Sequence, residues 1–277
     1  MKTILITGST DGLGLATATK LLELGHQVII HGRNEEKLAS VHQSLLKISP
    51  QVSAYQADFS DLSSVLALAN TLKSDYASID VLINNAGIWQ KKMQIDQISQ
   101  DTIEAVIETN LSALIHTSRL LIPTLRTRDS AAIINVVSKS GVVAENLQSA
   151  YTASKYGARG FTEVLKVDLK DSNIKVAGVY QAGTKTKMFE KANENVSLEK
   201  FKPREVSAIK AVKEVEHVLA NELKSANAKI IYGELPEVKV DFIQFKQLLK
   251  NLFENVKILK IEKMILIIKE KLLMRKL

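Results

Sequence analysis

A tyrosine and a lysine stand four residues apart at Tyr151 and Lys155, and Ser138 precedes the tyrosine by thirteen positions. Four residues is one helical turn, so the phenol and the ammonium share a face. A phenol ordinarily titrates near pH ~10, too high for proton exchange near neutrality, and a cation beside it is expected to lower that value. A carbonyl that accepts a hydride builds negative charge on its oxygen and needs both a proton donor and a fixed hydrogen-bond donor. Tyr151 suits the first need and Ser138 the second. In a chain with six tyrosines and abundant lysine, the Tyr–Lys spacing alone arises easily by chance. Its weight comes from the company it keeps.

That company is a glycine-rich turn, Thr7-Gly8-Ser9-Thr10-Asp11-Gly12-Leu13-Gly14, directly after the first apolar run. Glycines there let the backbone turn tightly and bring its N–H groups to a pyrophosphate at a helix N-terminus. Gly8, Thr10, Gly12, Leu13 and Gly14 are therefore expected to line a dinucleotide. The second apolar run ends His31-Gly32-Arg33. An acid at that end would bond the adenosine ribose and repel a 2′-phosphate, whereas glycine followed by arginine admits one. NADP is the expected cofactor, with NAD as the alternative. Asp58, at the end of the third run, is read either as an acceptor for the adenine amino group or as a cap on the next helix. Hydride transfer between a nicotinamide and an alcohol or ketone is the chemistry these residues share.

The elements that must position them alternate. β-rich runs at 3–7, 27–31, 52–56, 81–84, 131–137 and 175–180 are separated by helical patterns at 13–24, 35–48, 62–73, 100–126 and 149–171. This alternation predicts an α/β fold with a doubly wound parallel sheet of Rossmann type. Ligands in such sheets sit beyond the carboxyl ends of the strands, where these signatures begin. Residues 183–202 read as a lid over the substrate and about 203–223 as a helix. From 236 to 277 the apolar spacing predicts a basic amphipathic helical extension to a catalytic domain spanning 1–235.

Composition sets the outer limits. The chain has 277 residues, 45% apolar and 24% charged, with no cysteine, so disulfides and thiolate metal sites are excluded. Its five histidines show no ligand spacing, and no metal is expected. The formal charge of +7 is concentrated in the tail, which holds ten Lys or Arg against five Asp or Glu from Glu237 onward. No nucleic-acid motif accompanies it. The tail is read as an oligomer contact, as packing on its own domain, or as a contact with an anionic membrane surface, the last being least favoured. The opening shows no signal-peptide pattern and no apolar run spans a bilayer, so a cytoplasmic location is expected.

Thr7–Gly14, Asn84-Asn85-Ala86-Gly87, Asn110, Ser138 and Tyr151–Lys155 together closely resemble the short-chain dehydrogenase/reductase family. The resemblance spans about residues 1–190 and fades by about 235. It implies a nicotinamide-dependent oxidoreductase acting on a small carbonyl or alcohol substrate, a sheet usually of seven strands, and a homodimer or homotetramer. It also implies a catalytic set of Asn110, Ser138, Tyr151 and Lys155, with Lys155 on the nicotinamide ribose. Asn110 reads otherwise as a helix-start cap. Asn85 is the expected cofactor contact of the second signature, with bracing of the central sheet as its other reading. One departure is visible: Ala182 replaces the family's proline, and Thr186 lies three rather than four residues beyond Gly183. Thr186 is accordingly a doubtful cofactor ligand. The rival reading is a regulator or scaffold that binds NADP without turnover and docks through its tail.

Overall fold

The computed structural model of the chain describes residues 1–76, 78–184, 186–188, 201 and 203–220. Among the described residues six strands pair in parallel: β1 (Thr3–Ile6), β2 (Gln27–Gly32), β3 (Val52–Gln56), β4 (Val81–Asn84), β5 (Ala131–Val136) and β6 (Ile174–Val179). Their order across the sheet is β3-β2-β1-β4-β5-β6, so the direction of winding reverses between β1 and β4. The helices are α1 (Gly12–Glu23), α2 (Glu35–Leu46), α3 (Leu62–Asp75), α4 (Gln100–Ile107), α5 (Ala113–Leu125), α6 (Ser149–Asp168) and α7 (Arg204–Ala220).

Continuous apolar runs form these strands because both faces of the sheet are covered. Ile4, Ile6, Val28, Ile30, Val81 and Ile83 pack with α1, α2 and α7 through Leu21, Leu38 and Val212. Leu5, Ile29, Leu82 and Ile133 turn the other way, onto Leu68 of α3, Leu121 of α5 and Leu165 of α6. Each such side chain taken fully out of water contributes on the order of 2 kcal/mol. The central strands therefore hold the frame against which the less stable turns are set.

Polar residues mark where the helices begin. Asp11 caps α1, Asn34 caps α2, Asp61 caps α3 and Ser99 caps α4, each accepting a main-chain N–H of its first turn. Asp61 settles the reading of Asp58: the cap on α3 is not Asp58, which instead accepts the N–H and hydroxyl of Ser60 at 2.9 and 2.7 Å. The single helix expected over 100–126 is interrupted by a π-type turn, Glu108–Ser112, between α4 and α5. Such turns insert one residue into the helix and recur at functional positions.

Contacts divide the chain into two compact units, Met1–Ala226 and Asn227–Leu277. The second unit, most of the expected lid, the expected boundary near 235 and the amphipathic tail at 236–277 lie outside the described residues. Among the described residues, no helix is long and apolar enough to cross a membrane.

Candidate active site

The crevice forms where β1 and β4 diverge, as the switch in strand order requires. Gly8 and Gly12 adopt positive φ of 63° and 53°, a conformation that side-chain-bearing residues avoid. A Cβ on Gly14 would lie 2.4 Å from Asn85 Nδ2 and 2.5 Å from the Gly8 carbonyl oxygen. The turn is thus packed backbone to side chain, with the N-terminal N–H groups of α1, at Leu13 and Gly14, free of helical partners. This cradle fits a pyrophosphate group. Gly14→Ala is expected to open it, lowering stability by about 1–3 kcal/mol and raising the KM for cofactor. Thermal unfolding and steady-state kinetics would check both.

A buried histidine that the sequence did not single out sets this turn. Gly8 N–H donates to His31 Nδ1 at 3.0 Å, and His31 Nε2 lies 3.0 Å from the Ala57 carbonyl oxygen. With Nδ1 accepting, the proton resides on Nε2. The ring is stacked on Phe59 at 4.1 Å, and burial depresses its pKa to about 4, so it stays neutral at pH 7.

The cofactor's adenosine end would lie over β2. A Cβ on Gly32 would meet the Thr10 methyl at 2.4 Å, so Thr10 fills the space an acidic side chain would need. Arg33 is exposed; against the upward push of burial, the hydrogen bonds from Ser60 and then the Arg33 charge hold the Asp58 carboxyl below its ordinary pKa. Lys37, on the first turn of α2, also faces this region and donates to Asp11 Oδ2 at 2.7 Å. Its proximity was not visible from spacing, because the contact crosses from α2 to the cap of α1.

Asn84 and Asn85 act on opposite sides of β4. Asn84 Nδ2 donates to Ser118 Oγ at 3.0 Å and Asn135 Oδ1 at 2.9 Å, tying β4 to α5 and β5. Asn85 Nδ2 donates to the carbonyl oxygens of Thr7 and Gly8 at 2.9 and 3.0 Å. Both side chains thereby tie β4 to its neighbours. Asn110 lies in the π-type turn, fully buried, and not at a helix start. Its side chain accepts from Ile88 N–H at 2.7 Å and donates to the Ile88 carbonyl and to Ser154 Oγ at 3.0 and 3.1 Å. Ser154 Oγ in turn donates to the Tyr151 carbonyl at 2.7 Å. The loop after β4 is thereby locked to the turn of α6 that carries Tyr151 and Lys155.

Ser138, Tyr151 and Lys155 converge at the carboxyl end of β5. Ser138 caps a short turn, Lys139–Gly141, and accepts from Ser140 N–H at 3.1 Å. It also stands beside the Tyr151 side chain, where it favours the phenolate against a larger upward push from burial. The Glu145 carboxylate adds to that push, and the phenol stands at about 12. Lys155 is 4% exposed, its Nζ lies 5.9 Å from the centre of the Tyr151 ring, and it donates to the Val136 carbonyl at 3.2 Å. Burial lowers its own pKa to about 8. The expectation that Lys155 lowers the phenol pKa therefore needs correction. Desolvation dominates both groups and moves each toward its neutral form. Room for the ammonium comes from Gly87, where a Cβ would sit 3.2 Å from Asn110 Oδ1 and 3.5 Å from Lys155 Nζ.

Around the phenol stand Trp89, its ring 4.6 Å from that of Tyr151, and Gln90, whose Oε1 accepts the Tyr151 N–H at 2.9 Å. Thr186 packs against the glycine turn: its methyl would lie 3.0 Å from a Cβ on Gly12.

A nucleotide cradle at a braced switch point, with a serine, a tyrosine and a lysine gathered beside it on a doubly wound sheet, is an arrangement suited to a dinucleotide-dependent oxidoreductase. The short chain dehydrogenase family model matches residues 2–197. The chain is 34% identical over 173 residues to D-beta-hydroxybutyrate dehydrogenase of Cupriavidus necator, which covers 62% of this chain and 67% of that protein. It is 32% identical over 201 residues to a 3-oxoacyl-acyl-carrier-protein reductase of Chlamydia pneumoniae, covering 73% and 81% respectively. A solved short-chain dehydrogenase from Sphingobium yanoikuyae in complex with NADPH matches with a TM-score of 0.70 at 25% identity, covering 83% of this chain and 99% of that one. The chain belongs to the short-chain dehydrogenase/reductase family. It is an NAD(P)-dependent oxidoreductase acting on CH–OH or C=O groups. These likenesses lend no support to a scaffold without turnover.

Proposed function

We propose that the protein reduces a small carbonyl compound with NADPH, using Tyr151 as proton donor, Ser138 as the hydrogen-bond donor to the carbonyl oxygen and Lys155 to orient the ribose. The observation that carries this reading is the convergence of Ser138, Tyr151 and a buried Lys155 at the carboxyl end of β5, with the Lys155 Nζ 5.9 Å from the centre of the phenol ring. The bound cofactor supplies the hydride. Tyr151, with its pKa raised to about 12, retains its proton throughout the neutral range and is an acid rather than a base there. That favours reduction over alcohol oxidation. Asn110 contributes by position, holding α6 through Ser154. Loss of NADPH absorbance across a panel of ketones and aldehydes tests the reading. Cofactor binding without turnover of any of them would contradict it.

The preference for NADP rests on Gly32, Arg33 and Lys37. Thr10 occupies the space of an acid at position 32, and two cations flank the end of β2. The NADPH held by the Sphingobium yanoikuyae relative supports the same choice. Arg33→Ala and Lys37→Ala are each expected to raise the KM for NADPH about tenfold, as loss of one charge-assisted bond implies, with little change for NADH. Equal effects on both cofactors would place these cations elsewhere.

Gly8, Thr10, Gly12, Leu13, Gly14, Asp58 and Asn85 complete the cofactor site in this proposal, with Asn85 also holding the turn through the Thr7 and Gly8 carbonyls. Asp58 remains an acceptor for the adenine amino group. A homodimer or homotetramer is the assembly the family resemblance implies. Val164 and Val167 on α6, 58% and 65% exposed, support an apolar contact face there.

A further inference from the structure

Each helix from α1 to α4 is capped by the side chain at its own start, but α6, which carries Tyr151 and Lys155, is not. Gln148 stands at that position, where its carbonyl accepts the first helical N–H, from Thr152, at 2.8 Å. Its side chain turns away and donates to Glu145 Oε2 at 3.0 Å. A capping side chain normally accepts from the second or third N–H of its helix. The third N–H of α6 belongs to Tyr151, and a residue 61 positions away takes it: Gln90 Oε1 accepts it at 2.9 Å. Gln90 is 1% exposed, so water has little access to this bond. The loop after β4 that bears Gln90 is fixed on both sides of it. Asn110 accepts Ile88 N–H at 2.7 Å and donates to the Ile88 carbonyl at 3.0 Å. Met93 N–H donates to the Leu147 carbonyl at 3.1 Å. Leu147 holds a φ of 60°, in the left-handed region, where a leucine persists only when its surroundings fix it.

We propose that Gln90 is a positioning residue: it caps α6 from outside the helix and so sets the place of the Tyr151 phenol against Ser138. This rests on the reading of Tyr151 as the proton donor. The two side chains reach the site from separate elements, Ser138 from just beyond β5 and Tyr151 from the first turn of α6. Their separation therefore depends on how the start of α6 is seated. Gln90 holds the main chain of Tyr151, and its neighbour Trp89 packs against the phenol with ring centroids 4.6 Å apart. One loop thus grips both the backbone and the ring of the proton donor. Reaction rates respond steeply to such placement, a shift of about 1 Å costing up to about 10²-fold. The glycine turn and the end of β2, where the cofactor is proposed to bind, lie on other elements. Loss of the Gln90 acceptor should therefore reach turnover without reaching NADPH binding.

Gln90→Met keeps the length of the side chain and removes the acceptor, whereas Gln90→Glu keeps an acceptor oxygen whether its carboxyl is charged or neutral. Both are compared with wild type in reducing ethyl acetoacetate, cyclohexanone and benzaldehyde with NADPH, in NADPH Kd, and in hydrogen exchange at the Tyr151 amide. Gln90→Met is expected to lower kcat by about 10- to 100-fold with Kd within about twofold of wild type, and to speed exchange at that amide. Gln90→Glu should recover most of the rate and of the protection. An unchanged kcat in Gln90→Met, a matching loss of NADPH affinity, or no recovery in Gln90→Glu overturns the proposal. Should Gln90→Met fail to fold, exchange in the wild type decides: a slow Tyr151 amide supports the cap, and one as fast as an exposed amide overturns it. Tyr151→Phe in the same assays separates the two readings. A loss of rate there with none in Gln90→Met removes the positioning role alone. Full activity of Tyr151→Phe, or no turnover of the three compounds by the wild type, removes the proton-donor reading and this proposal with it.

Discussion

Tyr151→Phe is expected to lower turnover by about 10²–10⁴-fold, the range that removal of a positioned proton donor produces. Its effect on cofactor binding and on the fold should be small. The ring is 5% exposed and packed against Trp89 at 4.6 Å, and phenylalanine keeps that packing. The loss is confined to one hydroxyl beside Ser138. Titration with NADPH by fluorescence should give a Kd within a few-fold of wild type, while rates fall. A parallel loss of binding would make Tyr151 a structural residue. The wild-type rate of reduction should hold steady across the neutral range, and the reverse oxidation should climb with alkalinity, because only the oxidation needs the phenolate that burial suppresses.

Lys155→Met should abolish activity and yet stabilise the fold. Burial lowers the lysine pKa from 10.5 to about 8, so the charged form is held at a cost of about 3 kcal/mol at neutral pH. Methionine removes that cost, while leaving the Val136 carbonyl without its 3.2 Å donor returns part of it. The net gain expected is about 2 kcal/mol, a rise of several degrees in Tm. Its pH dependence has a definite sign. Between pH 8 and 10.5 the unfolded wild-type chain binds more protons at this site than the folded one, so wild-type stability rises with pH across that window. The advantage of the variant is full below pH 8 and gone above 10.5. A variant less stable than wild type at pH 7 would show that Lys155 is held by partners stronger than its one main-chain bond.

These two residues also show where reading from sequence succeeds and stops. The strands were legible because their apolar runs are continuous, and their ends fell within a residue or so of those expected. The glycine turn was legible because Gly8 and Gly12 occupy conformations that other residues avoid. The break at Glu108–Ser112 was hidden, since a single inserted residue barely disturbs helical periodicity, and it made Asn110 resemble a cap. Asp58 and Asp61 both suit a helix start, and in the fold Asp61 takes it. The effect of Lys155 on the phenol was misjudged for a different reason: spacing reports proximity along a helix but not desolvation, which proved the larger effect. His31, Lys37, Gln90 and Glu145 carried no signal. Their contacts join elements far apart in the chain, and no periodicity encodes them.

The most direct measurement is a crystal structure of the protein with bound NADP⁺ and a substrate-like alcohol. The account predicts the nicotinamide C4 facing the carbinol carbon at about 3–3.5 Å, with the alcohol oxygen bonded to both Tyr151 and Ser138 and Lys155 Nζ turned onto the ribose. A nicotinamide lodged away from the Ser138–Tyr151 pair, or an alcohol oxygen held by other groups, would contradict it.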